Sequence, residues 1–119
     1  ISKEQLPATA QQFLQEYFAD VEVTLAHEDG PVVRREYDVT LADGTHIEFS
    51  ADGRWREVES RGALPQGIVP PSITTYVAKH YAAYSIVRIE RSRREWEVDL
   101  SNGLEITFDR RFRVISIDD

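Results

Sequence analysis

The stretch YDVTLADGTHIEF, residues 37–49, is matched 59 positions later by WEVDLSNGLEITF, residues 96–108. In both stretches apolar and polar residues alternate on either side of an Asp-Gly or Asn-Gly pair, which is typical of a β-hairpin whose tight turn needs a positive φ. An internal repeat of this kind largely sets the fold. The residues that recur unchanged are four apolar residues and the turn glycine: Val39/Val98, Leu41/Leu100, Gly44/Gly103, Ile47/Ile106 and Phe49/Phe108.

A helix is predicted ahead of each hairpin. The first runs from Leu6 to Phe18, with Pro7 in its first turn, where proline is well tolerated. The second opens at Pro70-Pro71 and carries Tyr81 and Tyr84 on its apolar side.

The remaining segments predict one strand before and one strand after each hairpin. In the first copy, Val21, Val23 and Leu25 alternate with polar residues, which predicts a strand that buries these three and ends at the loop 27–31. In the strand after the hairpin, Arg56 of the first copy aligns with Ile115 of the second, and this mismatch predicts a bulge.

The pattern predicts an α+β fold, a tandem α-β4 repeat with an extended antiparallel sheet and both helices packed on one face. We expect one domain, residues 1–119, made of two repeats at about 1–62 and 63–119. Each repeat alone is small for an independent core, so the two are expected to share one.

Composition excludes several classes of protein. The 119 residues carry a formal charge of −7, which argues against a nucleic-acid partner, since such binding depends on Lys and Arg neutralising phosphates. There is no Cys, so no disulfide or thiolate metal site is expected. No apolar run is long enough for a membrane span.

The chain begins at Ile1 and contains no Met. Either the cleavage of a secretory signal peptide or the omission of an N-terminal segment from the sequence would explain this start. The first explanation predicts a periplasmic or secreted protein.

No catalytic, metal or cofactor site is predicted. Cys is absent, and the three histidines, His27, His46 and His80, are not spaced as zinc ligands. The acidic residues do not form a calcium loop, and no glycine-rich phosphate loop is present. An enzyme built on a carboxylate pair would need two acidic groups that converge with shifted pKa values, and the spacing does not demand this.

Strand alternation assigns a mostly acidic set of side chains to the face opposite the helices. This face is either an ordinary hydrated surface or a docking surface for a basic or peptide-like protein partner, and charge there would mainly steer encounter. His46, among carboxylates, would make such a surface pH-sensitive. Trp55 is either a core residue or a partly exposed anchor of the same surface. The candidate partner-binding residues are Asp38, Thr40, His46, Glu48, Trp55, Glu97, Asp99, Glu105 and Thr107.

The segment from Tyr37 to Trp55, together with the closing hairpin from Asn102 to Asp109, resembles the PepSY-like family, which is related in fold to the β-lactamase inhibitory protein. The resemblance implies an exported tandem α-β4 protein with no known catalytic residues. In the inhibitory protein the open face of the sheet binds the partner enzyme. The disulfides and the binding residues of that protein have no counterparts in this chain. The resemblance therefore does not imply that this chain inhibits a β-lactamase.

The functional hypothesis is a non-enzymatic exported binding or inhibitor-like module that uses the open sheet face. The alternative is a structural or accessory domain of a larger secreted precursor. A monomer or weak dimer is expected in either case.

Overall fold

A computed structural model describes all residues 1–119 and shows two helices and an open antiparallel sheet of eight strands. The strand order in the sheet is the order in the chain, β1 to β8, so every connection joins neighbours. This is the α+β class that the sequence predicts.

The chain divides into two compact units, Ile1–Val58 and Glu59–Asp119. That these make one domain, and that they arose as a tandem repeat, stay predictions of the sequence. The helices and strands are α1 Ala8–Phe18, β1 Val23–Asp29, β2 Glu36–Leu41, β3 His46–Phe49, β4 Trp55–Glu59, α2 Pro71–His80, β5 Ile86–Arg91, β6 Glu95–Leu100, β7 Glu105–Asp109 and β8 Val114–Asp118, with short 3-10 turns at Lys3–Gln5 and Val32–Arg34.

The core of the first unit lies between α1 and the inner face of its strands. Phe13 of α1 meets Phe49 of β3 edge to face, with ring centroids 5.8 Å apart. Such aromatic pairs add to the free energy gained by removing apolar surface from water. The buried residues around this pair include Ala10, Leu14 and Phe18 of the helix and Val39, Leu41 and Ile47 of the strands.

The core of the second unit is built in the same way. Tyr76 of α2 meets Phe108 of β7 edge to face, with ring centroids 5.5 Å apart and an interplanar angle of 89°. The fully buried strand residues are Ile89 of β5 and those at the recurring positions of the second hairpin, Val98, Leu100, Ile106 and Phe108.

The two predicted hairpin turns are confirmed. Gly44 and Gly103 have φ values of 90° and 88°, a region that glycine enters without strain. In each turn the glycine N–H donates to the carbonyl of the residue three positions earlier, Leu41 or Leu100, at 2.9 Å. The predicted hairpins therefore form as local structures.

Both helices differ at their ends from the prediction. Helix α1 begins at Ala8 rather than Leu6, because Pro7 has an extended ψ of 148° and precedes the first turn. Helix α2 ends at His80: Tyr81 donates its N–H to the carbonyl of Val77, but its own φ of −141° is not helical. Tyr84 therefore lies beyond the helix and is 44% exposed, so the prediction that it lines the apolar face was wrong.

Strand β1 also departs from the prediction. It continues through the segment expected to be a loop, as far as Asp29, and a bulge between Val23 and Leu25 breaks its pairing with β2. A bulge inserts one residue and reverses the alternation beyond it. Leu25 is therefore 61% exposed, and Ala26 takes the buried position.

A bulge was predicted in the strand after the hairpin, and one is present in β8, the strand after the second hairpin. Thr107 pairs with Ser116 and Phe108 pairs with Val114, so Ile115 is the extra residue. The mismatch between Arg56 and Ile115 in the sequence was therefore a correct signal of irregular pairing in this strand.

Three glycines distinguish the free-energy cost of a positive φ from that of a steric contact between a new methyl group and its neighbours. A methyl group at Gly53, where φ is +86°, would lie 2.8 Å from the Pro7 side chain and 2.9 Å from the backbone nitrogen of Ala10. At Gly103 φ is +88° but nothing lies within 4 Å, and at Gly62 there is open space and no positive φ.

We expect Gly103→Ala to lower the free energy of unfolding by about 1–2 kcal/mol, the cost of a left-handed backbone for an L-residue. Gly53→Ala should lower the free energy of unfolding by more than this, because the start of α1 must also move. The free energy of unfolding of Gly62→Ala should lie within about 0.5 kcal/mol of wild type. Urea unfolding followed by circular dichroism measures all three. Equal losses at Gly53 and Gly103 would show that the contact with α1 contributes nothing.

Candidate functional site

In the first unit, four of the predicted polar residues form a continuous group on β2 and β3, which we call the first polar patch: Asp38, Thr40, His46 and Glu48. Asp38 pairs directly with Glu48 across the two strands, and Thr40 pairs with His46. The Nε2 atom of His46 lies 3.6 Å from the Asp38 carboxylate. All four residues are half-buried.

An arginine from the next strand bridges this patch. The Arg56 guanidinium lies 2.6 Å from Glu36 and 3.6 Å from Glu48. Sequence reasoning missed this role, since Arg56 drew attention only through its misalignment with Ile115.

The Glu48 carboxyl has a raised pKa. Burial is the main cause, because it penalises the charged form. The Arg56 charge acts in the opposite direction, while Glu36 and Asp38 raise the pKa further. Glu48 therefore binds a proton more readily than an exposed glutamate does.

In the second unit, the corresponding residues form the second polar patch on β6 and β7: Glu97, Asp99, Glu105 and Thr107. Glu97 pairs with Thr107 across the strands, and Asp99 pairs with Glu105. Thr107 is only 8% exposed, so it contributes little surface to the patch. The accessible part of this patch consists of three carboxylates.

Arg88 of β5 holds the carboxylates of the second polar patch together. Its guanidinium lies 3.1 Å from Glu97, 3.4 Å from Asp99 and 3.3 Å from Glu90. The Arg88 side chain is 14% exposed, so water screens these contacts less than it screens surface ion pairs. The position of Arg88 at the centre of the cluster depends on strand pairing, which brings β5 beside β6.

Glu105 and Glu97 form a carboxyl pair. A hydrogen bond from Glu105 to Glu97 is the main cause of the raised pKa of Glu105, since one of the two groups must keep a proton to donate it. Partial burial and the charges of Glu97 and Asp99 raise the pKa further, and Arg88 lowers it. The pair lies on a strand surface.

A cleft in the second unit lies elsewhere, between the connector after β4 and helix α2. Its volume is about 540 Å³, and its walls include Leu64, Val69, Val77, Ala78 and Ile86. This cleft is apolar and contains none of the predicted site residues.

Trp55 does not belong to the exposed surface. It is 9% exposed, and its ring centroid lies 6.4 Å from that of Phe13 in α1. Of the two readings that the sequence left open for Trp55, the core reading is correct, because α1 extends far enough to cover the start of β4.

No group of three or more His, Asp or Glu side chains is arranged to hold a metal ion. No helix is both long and apolar enough to cross a membrane.

The chain matches one family over residues 35–116, which is described as "Putative beta-lactamase-inhibitor-like, PepSY-like". A comparison with curated proteins found no match.

Three solved structures from Bacteroides resemble the whole chain. A "putative periplasmic protein" of Bacteroides vulgatus is 41% identical, with a TM-score of 0.94 over 100% of this chain and 94% of the other. A "putative calcium-regulated periplasmic protein" of Bacteroides thetaiotaomicron is 35% identical, with the same TM-score and coverage. A second Bacteroides vulgatus protein, described as a "putative periplasmic protein of unknown function", is 30% identical, with a TM-score of 0.93 over 99% and 95% of the two chains.

The carboxyl pair predicts an unusual dependence of stability on pH. Because the pKa of Glu105 is raised in the folded protein, its favourable contribution is complete below the unfolded-state pKa and is lost as the pH rises through the folded-state value. Glu105→Gln removes the charge but keeps the shape and a hydrogen-bonding group. We expect this variant to be more stable than wild type at pH 7, with the difference disappearing below about pH 4, near the ordinary pKa of glutamate.

Urea unfolding from pH 3 to pH 8 measures this difference. The control is Glu95→Gln, an exposed carboxylate at the start of β6. A Glu105→Gln variant that is less stable than wild type at pH 7, or a difference that does not change with pH, would contradict the assignment of a shared proton.

Proposed function

Because the chain belongs to the PepSY-like family, we propose that it is a non-enzymatic exported binding module whose partner docks on the polar face of the sheet. The observation that carries the proposal is the second polar patch, where Glu97, Asp99 and Glu105 gather with Glu90 around one arginine, Arg88. This cluster has an excess of negative charge in a half-buried setting, which suits a basic segment of a protein partner.

Export to the periplasm or outside the cell is part of the same proposal. The three relatives in Bacteroides are described as periplasmic, and the family description names inhibitor-like proteins. An inhibitor-like role would need the partner to be an enzyme whose active-site rim is basic.

The raised pKa of Glu105 gives the proposed binding a dependence on pH. A lysine or arginine of the partner that pairs with Glu97 and Glu105 stabilises their ionised forms. Affinity is therefore expected to fall as the pH drops through the folded-state pKa of Glu105.

Charge reversal tests the proposed surface. The variant Glu48→Lys/Asp99→Lys changes one carboxylate in each polar patch, and the matched control Glu4→Lys/Asp20→Lys makes the same change in charge at two exposed residues outside them. Each is used as bait in a periplasmic extract of a Bacteroides species, with circular dichroism to confirm folding. We expect wild type and the control to capture the same partner, and the patch variant to lose about tenfold or more of it, with the loss greatest at low salt.

Equal capture by the patch variant and the control would rule out the polar face as the binding surface. If none of the baits captures a partner, the alternative of a structural or accessory domain in a larger secreted precursor is favoured. A hydrolytic activity abolished by changing His46 or Asp99 would contradict the non-enzymatic role.

A further inference from the structure

The last strand of the second unit has an apolar and unprotected edge. Strand β8, Val114–Asp118, pairs with β7 on one side and is the last strand in the sheet order. All five of its residues are exposed, including Val114 at 37%, Ile115 at 57% and Ile117 at 44%. Three large apolar side chains in five residues, beside a row of backbone groups without a neighbouring strand, form a template for pairing with another chain.

The corresponding strand of the first unit is covered. Trp55 and Val58, 59 positions before Val114 and Ile117, are 9% and 0% exposed, and Phe13 of α1 reaches Trp55. In the second unit the aromatic contact from α2 goes to Phe108 on β7. The apolar residues of β8 are therefore a surface that its own helix leaves uncovered.

Strand β8 has few of the features that normally prevent edge pairing. It contains neither Lys nor Pro, and its one irregularity is the bulge at Ile115. Beyond the bulge, residues 116–118 pair with β7 in regular register. An exposed edge with a regular, partly apolar segment is open to a further strand.

The charges at the two ends of β8 indicate which strand could pair with its free edge. Arg113 precedes the strand and Asp118 ends it, so the edge is positive at one end and negative at the other. Arg113 donates its Nε to Asp109 at 2.8 Å, yet its side chain is 71% exposed, and its two terminal nitrogens can serve a second carboxylate. An antiparallel copy of the same strand places opposite charges against each other at both ends.

We propose that two copies of this chain associate through β8, paired antiparallel about a two-fold axis at Ser116. The bulged pair Val114 and Ile115 then faces Ile117 of the second copy, and Arg113 faces Asp118. Each contact occurs twice, as a two-fold interface requires. The interface is small, well below the roughly 1,000 Å² typical of a stable complex, so the dimer is weak and depends on concentration.

Exchanging the charges of Arg113 and Asp118 tests both the contact between the two copies of β8 and their antiparallel arrangement. Sedimentation equilibrium from about 10 µM to about 1 mM, at physiological salt, measures the dissociation constant of the whole chain. We expect Arg113→Glu and Asp118→Arg each to raise this constant about tenfold or more, because each places like charges together twice. Mixing the two variants should restore association, since the mixed dimer has one native and one exchanged charge pair.

The control is Arg111→Glu, an exposed arginine in the turn before β8 that makes the same change in net charge. Hydrogen exchange at residues 114–118 should slow as the concentration of wild type rises. A wild type that stays monomeric at about 1 mM overturns the proposal, even if β8 then binds an extended peptide of another protein. Single variants that associate like wild type, or a mixture that does not recover, overturn the antiparallel arrangement. The concentration dependence of wild type and the effect of Arg113→Glu do not involve the polar patches, whereas Asp118 pairs with Glu105, so these two readouts separate the dimer from partner capture.

Discussion

The burial of one face of each hairpin beneath its own helix is the constraint on which the rest of the structure depends. Phe49 under Phe13 and Phe108 under Tyr76 are the central contacts, and both are edge-to-face aromatic pairs. A shift of one residue in strand register would move these rings into water and bring carboxylates into the core, at a cost of several kcal/mol. Strand register is therefore fixed by the inner face, whatever the outer face contains.

The polar patches are a consequence of that fixed register. Once Val39 pairs with Ile47, Asp38 must lie beside Glu48, and once Val98 pairs with Ile106, Asp99 must lie beside Glu105. Placing like charges side by side is unfavourable. The sheet offsets this with arginines from neighbouring strands, Arg56 and Arg88, and the hydrogen bond to Glu97 raises the pKa of Glu105. A surface that tolerates such repulsion in the free protein is well suited to bind a cation.

The bulges mark the places where local pattern and tertiary structure disagree. At Leu25 an extra residue turns an apolar side chain outward, and at Ile115 another interrupts the pairing of the apolar strand β8 with β7. The alignment mismatch between Arg56 and Ile115 predicted the second bulge. The first gave no such signal, because Val21, Val23 and Leu25 alternate regularly in the sequence.

The sequence by itself determined the α+β class, the two hairpins with their glycine turns, the inner apolar residues and the identity of most polar-face residues. These follow from periodicity and turn chemistry, which act over a few residues. Only the tertiary structure decided that Trp55 is buried, that Tyr84 lies outside its helix, and that Arg56 and Arg88 bridge the carboxylates. Those outcomes depend on how far a helix reaches across the strands and on which strand lies beside which, and such long-range packing leaves no trace in the alternation of neighbouring residues.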